Sequence, residues 1–197
     1  MHIKGGSLCE YPLTFEILRT HSLDYAAKIQ ESTLSKDAAL WSYLLYLRPK
    51  VTIPLMAMTF SEAQCNRIQS PALRAVLSKL HLNRYTARSI IHGPLLYGGM
   101  NLPNLYTTQG IYQLKFLLGH LRAKEKSGKL ICITHGGLQL LVRMSKHFLN
   151  LPYKVTSLLG CPSWLLSVWH FIDHLGLQIN IHEIMTEVLQ GHRPIDR

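Results

Sequence analysis

Ser61-Glu-Ala-Gln-Cys-Asn-Arg-Ile-Gln-Ser-Pro-Ala-Leu-Arg-Ala-Val-Leu-Ser-Lys-Leu80 decides the fold class. Leu73, Val76, Leu77 and Leu80 recur at i, i+3, i+4 and i+7, the spacing of one apolar helix face, and this is the strongest helix signal in the chain. Ser61 followed by Gln64 is a capping-box pattern, in which the two side chains satisfy each other's orphan backbone N–H groups. Ser70-Pro71 sets a second cap and a first-turn proline in sequence, so a helix is expected to begin there.

Helical signals continue on both sides. Ser22 is placed to cap a helix to about Glu31, with Tyr25, Ala26 and Ile29 inward. Ser35 caps the next, where Ala38, Ala39, Trp41, Leu44, Leu45 and Leu47 make a broad apolar face, and Pro49 and Pro54 kink or end it. Asn83 opens a short helix to about His92, which would set Arg84 and Arg88 one turn apart. Gly93-Pro94, Gly98-Gly99 and Pro103 make residues 93–105 a structured loop. Thr107 or Thr108 caps a helix with Ile111, Leu114, Leu118 and Leu121 in one stripe. Ser127-Gly128 breaks it, and residues 129–149 resume a less regular pattern interrupted by Gly136-Gly137. Ser163 begins an aromatic helix through about Leu175, and Gly176 stops it. Met1 to Leu8 reads as a strand end whose partners are missing, because an isolated hairpin is marginal in water. Gln178 to His182 alternates like a short strand. The expected class is mainly α, a multi-helix bundle with minor strand at the N-terminus and near residues 178–182.

Composition agrees with a folded domain. The 197 residues are 47% hydrophobic and only 16% charged, which is no disordered basic tail. No apolar run reaches the roughly 18 residues of a membrane-spanning helix, so no membrane partner is expected. The start, Met1-His2-Ile3-Lys4-Gly5-Gly6, has no apolar signal core. Cys9, Cys65, Cys132 and Cys161 follow no disulfide framework, which suits reduced thiols and an intracellular location, nuclear or cytoplasmic.

Charge is distributed unevenly. Between Glu62 and Glu125 there is no acidic residue, while Arg67, Arg74, Lys79, Arg84, Arg88, Lys115, Arg122 and Lys124 lie inside. Extending the window to Leu159 gives thirteen basic residues against one acidic, a net of +12. Ordinary helix surfaces mix signs, so a middle without counter-charge points to a polyanion, and RNA, DNA or an RNA–DNA hybrid is the first partner to consider. Arg74 shares a face with Ser78 and His81, opposite the leucines, and Lys115, Arg122 and Lys126 fall on neighbouring turns. A solvated face is the plain alternative for any one of them. The same stretch offers no clustered carboxylates, so two-metal phosphoryl transfer has no protein anchor there.

Other chemistry is thinner. The glycine pair Gly98-Gly99 would permit a close backbone approach to a phosphate, and Tyr97 and Tyr106 would supply stacking faces, although a tight connection explains the glycines as well. Cys132-x-x-His135 and His170-x-x-x-His174, with Cys161 between, have ligand-like spacing for zinc, but histidines at helical spacing are more often core or interfacial, and no metal is expected. No serine sits in a nucleophile elbow, so no catalytic residue is assigned.

Phe60-Ser-Glu-Ala-Gln-Cys65, Ile68-Gln-Ser-Pro71, Leu82-Asn-Arg84, His92-Gly-Pro94, Gly98-Gly99, Leu102-Pro103 and Gln109-Gly110 form an ordered series. In order and spacing the series resembles the segment that follows the polymerase core in reverse-transcriptase-like proteins of non-LTR retrotransposons. The resemblance extends over roughly residues 20–185, including Trp164 to Phe171 and Ile179 to Ile181. It implies residues 1–10 as a remnant strand of a missing palm-like domain, residues 20–125 as a basic thumb-like region, and residues 126–197 as a helical connection region. The family's aromatic-x-Asp-Asp turn and its upstream aspartate have no counterpart here, so catalytic residues do not carry over and Mg²⁺ belongs only to the parent RNA-directed DNA polymerase.

The reading is a non-catalytic fragment of a reverse-transcriptase frame that binds template–primer backbone. Arg74, Lys79, Arg84, Arg88, Gly98, Gly99, Lys115 and Arg122 are the expected contacts, and palm and fingers domains are the expected missing companions. The alternative is a retroelement remnant or helical interaction module that associates with itself or other proteins. A small metal-dependent enzyme is the outermost reading.

Overall fold

The computed structural model describes residues 12–123, 125–142, 146–156 and 164–179. Their regular structure is entirely helical, which bears out the mainly α class expected from the sequence pattern. Gln178 and Ile179 belong to no strand, and the rest of both strand expectations lies outside the described residues. Among the described residues no helix is long and apolar enough to cross a membrane. They divide into two compact units, residues 12–112 and 113–179. The division falls inside a helix that runs from Leu105 to Ala123.

The first unit opens with α1 (Pro12–Glu31), which runs unbroken past Ser22. Leu18, Ser22, Tyr25, Ala26 and Ile29 form its buried stripe, so Ser22 is an interior residue and not a cap. Continuous burial on both sides outweighs the capping preference of one serine. Ser35 does cap α2 (Lys36–Ser42), its Oγ accepting the Ala38 N–H at 3.3 Å. Pro49 then disturbs the register. It has no N–H, and its ring would crowd the carbonyl four residues back. The backbone widens into a π-helical turn over Tyr43–Leu47, with the Arg48 N–H reaching the Tyr43 carbonyl, before α3 (Arg48–Leu55) continues. The wider turn shifts the phase by about one residue. Tyr43, Leu47, Val51 and Leu55 are therefore buried, while Trp41 is 58% and Leu45 70% exposed. The broad apolar face read from sequence is split in two.

The capping box at α4 (Glu62–Lys79) forms: Gln64 N–H donates to Ser61 Oγ at 3.3 Å, and Ser61 N–H donates to Gln64 Oε1 at 2.9 Å. Ser70-Pro71 does not start a new helix; Pro71 lies inside α4, and Ser70 Oγ donates to the Asn66 carbonyl at 2.5 Å. Ile68, Ala72, Leu73, Val76 and Leu77 are buried along one side of it. Each of the four larger side chains contributes about 1.5–3 kcal/mol, which together exceeds the roughly 3 kcal/mol an interior proline costs. His81, expected on the face of this helix, lies beyond its end with φ of 56°. There the Leu82 N–H closes on the Leu77 carbonyl at 2.9 Å.

Helices α1 and α4 run in the same direction. Near their N-terminal ends Phe15 and Phe60 meet with ring centroids 6.1 Å apart, and near their C-terminal ends Lys79 Nζ donates to the Ser32 carbonyl at 2.5 Å. The segment α2–α3 is the crossover that parallel helices require. Two glutamines fasten the chain that follows. Gln69 Nε2 donates to Tyr43 Oη (2.8 Å) and to the Pro103 carbonyl (2.7 Å), while its Oε1 accepts the Leu105 N–H (3.0 Å). Gln109 brackets Phe60 in the same way, accepting its N–H at 3.2 Å and donating to its carbonyl at 3.0 Å.

α5 (Arg88–His92) and a 3₁₀ turn (Leu95–Tyr97) lead to α6 (Leu105–Ala123). Asn104, not Thr107 or Thr108, opens α6, its Oδ1 accepting the Thr107 N–H at 3.2 Å.

The second unit holds the end of α6, α7 (Lys126–Val142), a 3₁₀ turn (Phe148–Asn150), α8 (Tyr153–Thr156) and α9 (Trp164–His174). On α6, Leu117 and Leu121 are buried and Ile111 is 43% exposed, so the buried side is rotated from the predicted stripe. Ser127-Gly128 lies within the first turn of α7. A Cβ on Gly128 would stand 2.2 Å from the His120 carbonyl oxygen, so glycine lets α7 press against the end of α6. Gly136-Gly137 likewise sits inside α7 without breaking it. Trp169 anchors this core, stacking edge-on to Phe148 at 5.3 Å and donating Nε1–H to the Leu151 carbonyl at 2.8 Å. α9 stops as expected. Gly176 has φ of 60°, and the Leu177 N–H returns to the Ile172 carbonyl at 3.0 Å. Ser163, its expected cap, lies outside the described residues.

Gln69→Leu is expected to destabilise the protein by about 3 kcal/mol, since it leaves the buried Leu105 N–H and the Pro103 carbonyl unpaired. Urea unfolding of the variant checks this, with a lowered midpoint at unchanged slope as the outcome.

Candidate nucleic-acid interface

Helix α4 presents Arg74 to solvent, with Arg67 two turns earlier and also exposed. Lys79 is different. Its ammonium is half-buried and donates to the Ser32 carbonyl at 2.5 Å and the Gln30 carbonyl at 3.4 Å. It therefore neutralises the carbonyl end of α1, where a cation is favoured. Charge counting alone cannot separate such an anchor from an open phosphate contact.

Arg84 and Arg88 do not share a helix. Asn83 accepts the Tyr85 N–H on Oδ1 at 2.9 Å, and Thr86 Oγ1 donates to the Asn83 carbonyl at 2.6 Å, so residues 83–86 form a turn and α5 begins only at Arg88. An asparagine side chain that holds its own backbone competes with helix, and here the turn prevails. The Arg84 guanidinium lies 4.6 Å from the Tyr85 ring centroid and donates Nη2–H to Tyr85 Oη at 2.6 Å. Tyr85 is 76% exposed, so arginine and ring present one flat cationic surface to solvent. Arg88 is exposed at the start of α5.

The glycine loop is closed on itself. Gly98 N–H donates to the Leu95 carbonyl and Gly99 N–H to the Pro94 carbonyl, both at 3.0 Å, so neither is open to a phosphate. Gly98 has φ of 75°, and a Cβ on Gly99 would stand 2.2 Å from the Gly93 carbonyl oxygen. Both glycines thus solve a backbone problem. The closed loop carries Leu95, Leu96 and Tyr97 outward, at 69%, 84% and 83% exposure. Tyr97 is open for stacking, whereas Tyr106 is half-buried against the core.

In the second unit, Lys115 and Arg122 stand exposed two turns apart on α6. Lys126 belongs to α7 instead. Among the described residues the one ion pair is Arg19–Glu16, at 3.6 Å. Arg67, Arg74, Arg84, Arg88, Lys115 and Arg122 are exposed without a carboxylate partner there.

The histidines expected as ligand candidates have another arrangement. His135 and His147 meet Nε2 to Nε2 at 2.6 Å. His147 Nδ1 accepts the Leu149 N–H at 3.3 Å, which places the His147 proton on Nε2 and makes His135 Nε2 the acceptor. Burial holds both imidazoles down at about 4. His170 and His174 stack with ring centroids 6.3 Å apart on α9. No group of three or more His, Cys, Asp or Glu suited to a metal occurs among the described residues; Cys161 lies outside them. Sequence reading paired Cys132 with His135 by their ligand-like spacing. It had no signal for His147, which approaches from a turn beyond α7.

Protein-family models, curated proteins and solved structures yield no match to this chain.

The histidine pair predicts an acid limb in stability. Both groups stay neutral in the fold down to about 4, while the unfolded chain protonates near the ordinary 6.5. Between those values the unfolded state binds more protons, so stability is full above about 6.5 and falls as pH drops towards 4. Melting temperature measured from pH 7 to 4.5 should decline, and His135→Gln should flatten the decline between pH 6.5 and 5.

Proposed function

We propose that the chain is a non-catalytic helical module that binds the backbone of RNA, DNA or an RNA–DNA hybrid. One observation carries this reading: among the described residues, the exposed arginines and lysines of residues 63–159 have no carboxylate in ion-pair contact to neutralise them. A folded helical scaffold that holds cations apart from acids gains free energy from polyanions by counterion release. In this reading Arg67, Arg74, Arg84 and Arg88 in the first unit and Lys115 and Arg122 in the second contact phosphates, and Lys79 holds the scaffold. Tyr85 and Tyr97 offer ring faces to unpaired bases.

The resemblance of the ordered motifs to the thumb and connection region of retrotransposon reverse transcriptases supports the same partner class. It makes the chain a companion of palm and fingers domains that supply the Mg²⁺ chemistry, acting inside the cell, nuclear or cytoplasmic. No polymerase activity is proposed for the chain itself, because its carboxylates are not paired anywhere in the sequence. A second reading, a helical protein-interaction module, rests on the outward apolar tip Leu95-Leu96-Tyr97.

Titration of labelled RNA–DNA hybrid at several salt concentrations tests the first reading. Each phosphate-binding cation removed should flatten the logarithmic salt slope by roughly 0.9, so Arg74→Gln with Arg84→Gln should flatten it by up to about 2. Lys79→Met should lower stability and leave the slope unchanged. A flat salt response in the wild-type protein, with binding that follows aggregation, would favour the interaction module.

A further inference from the structure

Two adjoining spaces in the first unit share Arg48 and Thr52 in their walls. The inner one, about 20 Å³, is lined also by Ser22, Tyr43 and Gln69. It has room for one water-sized group. The outer one is a groove of about 300 Å³, walled by Leu44, Ile53, Met56 and Tyr112. The π-helical turn over Tyr43–Leu47 sets both, because it turns Tyr43 inward and ends at Arg48. Such turns recur at functional sites.

The inner space is rich in donors. Ser22 is 1% exposed, and its Oγ has no hydrogen-bond partner among the described residues. An unsatisfied buried hydroxyl costs about 1–3 kcal/mol. Gln69 uses both Nε2 hydrogens and its Oε1, and one of those hydrogens goes to Tyr43 Oη. Tyr43 Oη is thus an acceptor there, and its own proton has no acceptor among the described residues. Arg48 is half-buried, and among the described residues it forms no ion pair and is the sole charged residue in either wall. Ser22, Tyr43 and Arg48 thus bring three unused donors to the walls of one small space, where the other two hydroxyls, Thr52 and Thr108, already donate to backbone carbonyls. An anionic oxygen placed there would accept from all three and offset the Arg48 charge.

We propose that this site binds a small apolar carboxylate, with a carboxylate oxygen in the inner space against Arg48, Ser22 and Tyr43 and the apolar body in the outer groove. The groove's Leu44, Ile53 and Met56 suit an aliphatic or flat apolar body, and neither wall has a carboxylate to repel the head. None of the phosphate contacts proposed above lines either space.

Isothermal titration calorimetry with octanoate, and with octanol as its uncharged counterpart, tests the proposal. Octanoate should bind one to one, and octanol about tenfold weaker or worse. Arg48→Met should weaken octanoate about tenfold or more, since a hydrogen-bonded charge contributes on that scale. Arg48→Lys should retain part of the affinity, and Arg67→Met all of it. Ser22→Val gives a second arm should Arg48→Met fail to fold. It fills the inner space and removes the unpaired hydroxyl, so it should raise the melting temperature while weakening octanoate. Equal binding of octanol and octanoate would overturn the proposal, as would octanoate binding unchanged by Ser22→Val. Absence of saturable binding up to about 10 mM would leave the inner space to an ordered water only, and overturn it too.

Discussion

Gln69 is the residue on which the first unit depends. It lies on the buried side of α4, 7% exposed, and makes three hydrogen bonds that reach Tyr43, Pro103 and Leu105. One side chain therefore ties α4 to the π-helical turn before it and to the start of α6 after it. A buried amide is costly unless every group is satisfied, so these three partners must arrive together. That requirement fixes more than strength. An apolar residue at position 69 would pack against many neighbours equally well, whereas the amide accepts one arrangement of donors and acceptors. Gln109 repeats the device at the other end of α4, holding both backbone groups of Phe60.

The legible parts of the fold were those where local chemistry had no competitor. Ser35, the Ser61–Gln64 box and the Gly176 stop are caps at real boundaries, and each forms where the pattern sets it. The misread parts are those where burial or a turn overrode a local preference. Ser22 and Ser70-Pro71 look like helix starts, yet each lies inside an apolar stripe that continues on both sides. Gly128 looks like a break because glycine disfavours helix, yet its missing Cβ is what the close contact with His120 requires. Pro49 announced a disturbance but not its form. Only the packing of Tyr43 and Leu47 decides that the chain widens by one residue instead of stopping.

The candidate surface was legible as a region and less so residue by residue. The run without acids is a property of the sequence, and among the described residues it survives folding as exposed cations without a carboxylate partner. Its division into roles is not in the sequence. Lys79 and Arg74 are five residues apart on one helix, but the first faces the end of α1 and the second faces water. Arg84 was expected to pair with Arg88, and Asn83 turns the backbone so that it stacks on Tyr85 instead. The glycine loop illustrates the converse. Its N–H groups, the reason to suspect phosphate binding, close the loop, and what it presents is Tyr97 and two leucines.

A scarcity of acids forces the cations to find other partners. Lys79 takes backbone carbonyls, Arg84 takes the face and hydroxyl of Tyr85, and Lys50 lies 5.9 Å from the Tyr46 ring centroid. Carbonyl dipoles and aromatic quadrupoles stabilise a cation without removing its charge. The field outside the protein therefore stays positive even where each cation is locally held. Arg48 is the case where neither substitute is present, since it is half-buried beside unused hydroxyl donors. In water-exposed positions the surplus is met by mobile counterions that a polyanion can displace, whereas in a half-buried groove it must be met by one bound group. On the two proposals for the surface and for the groove, the same compositional bias would act on a long polymer outside and on a single small anion within the fold.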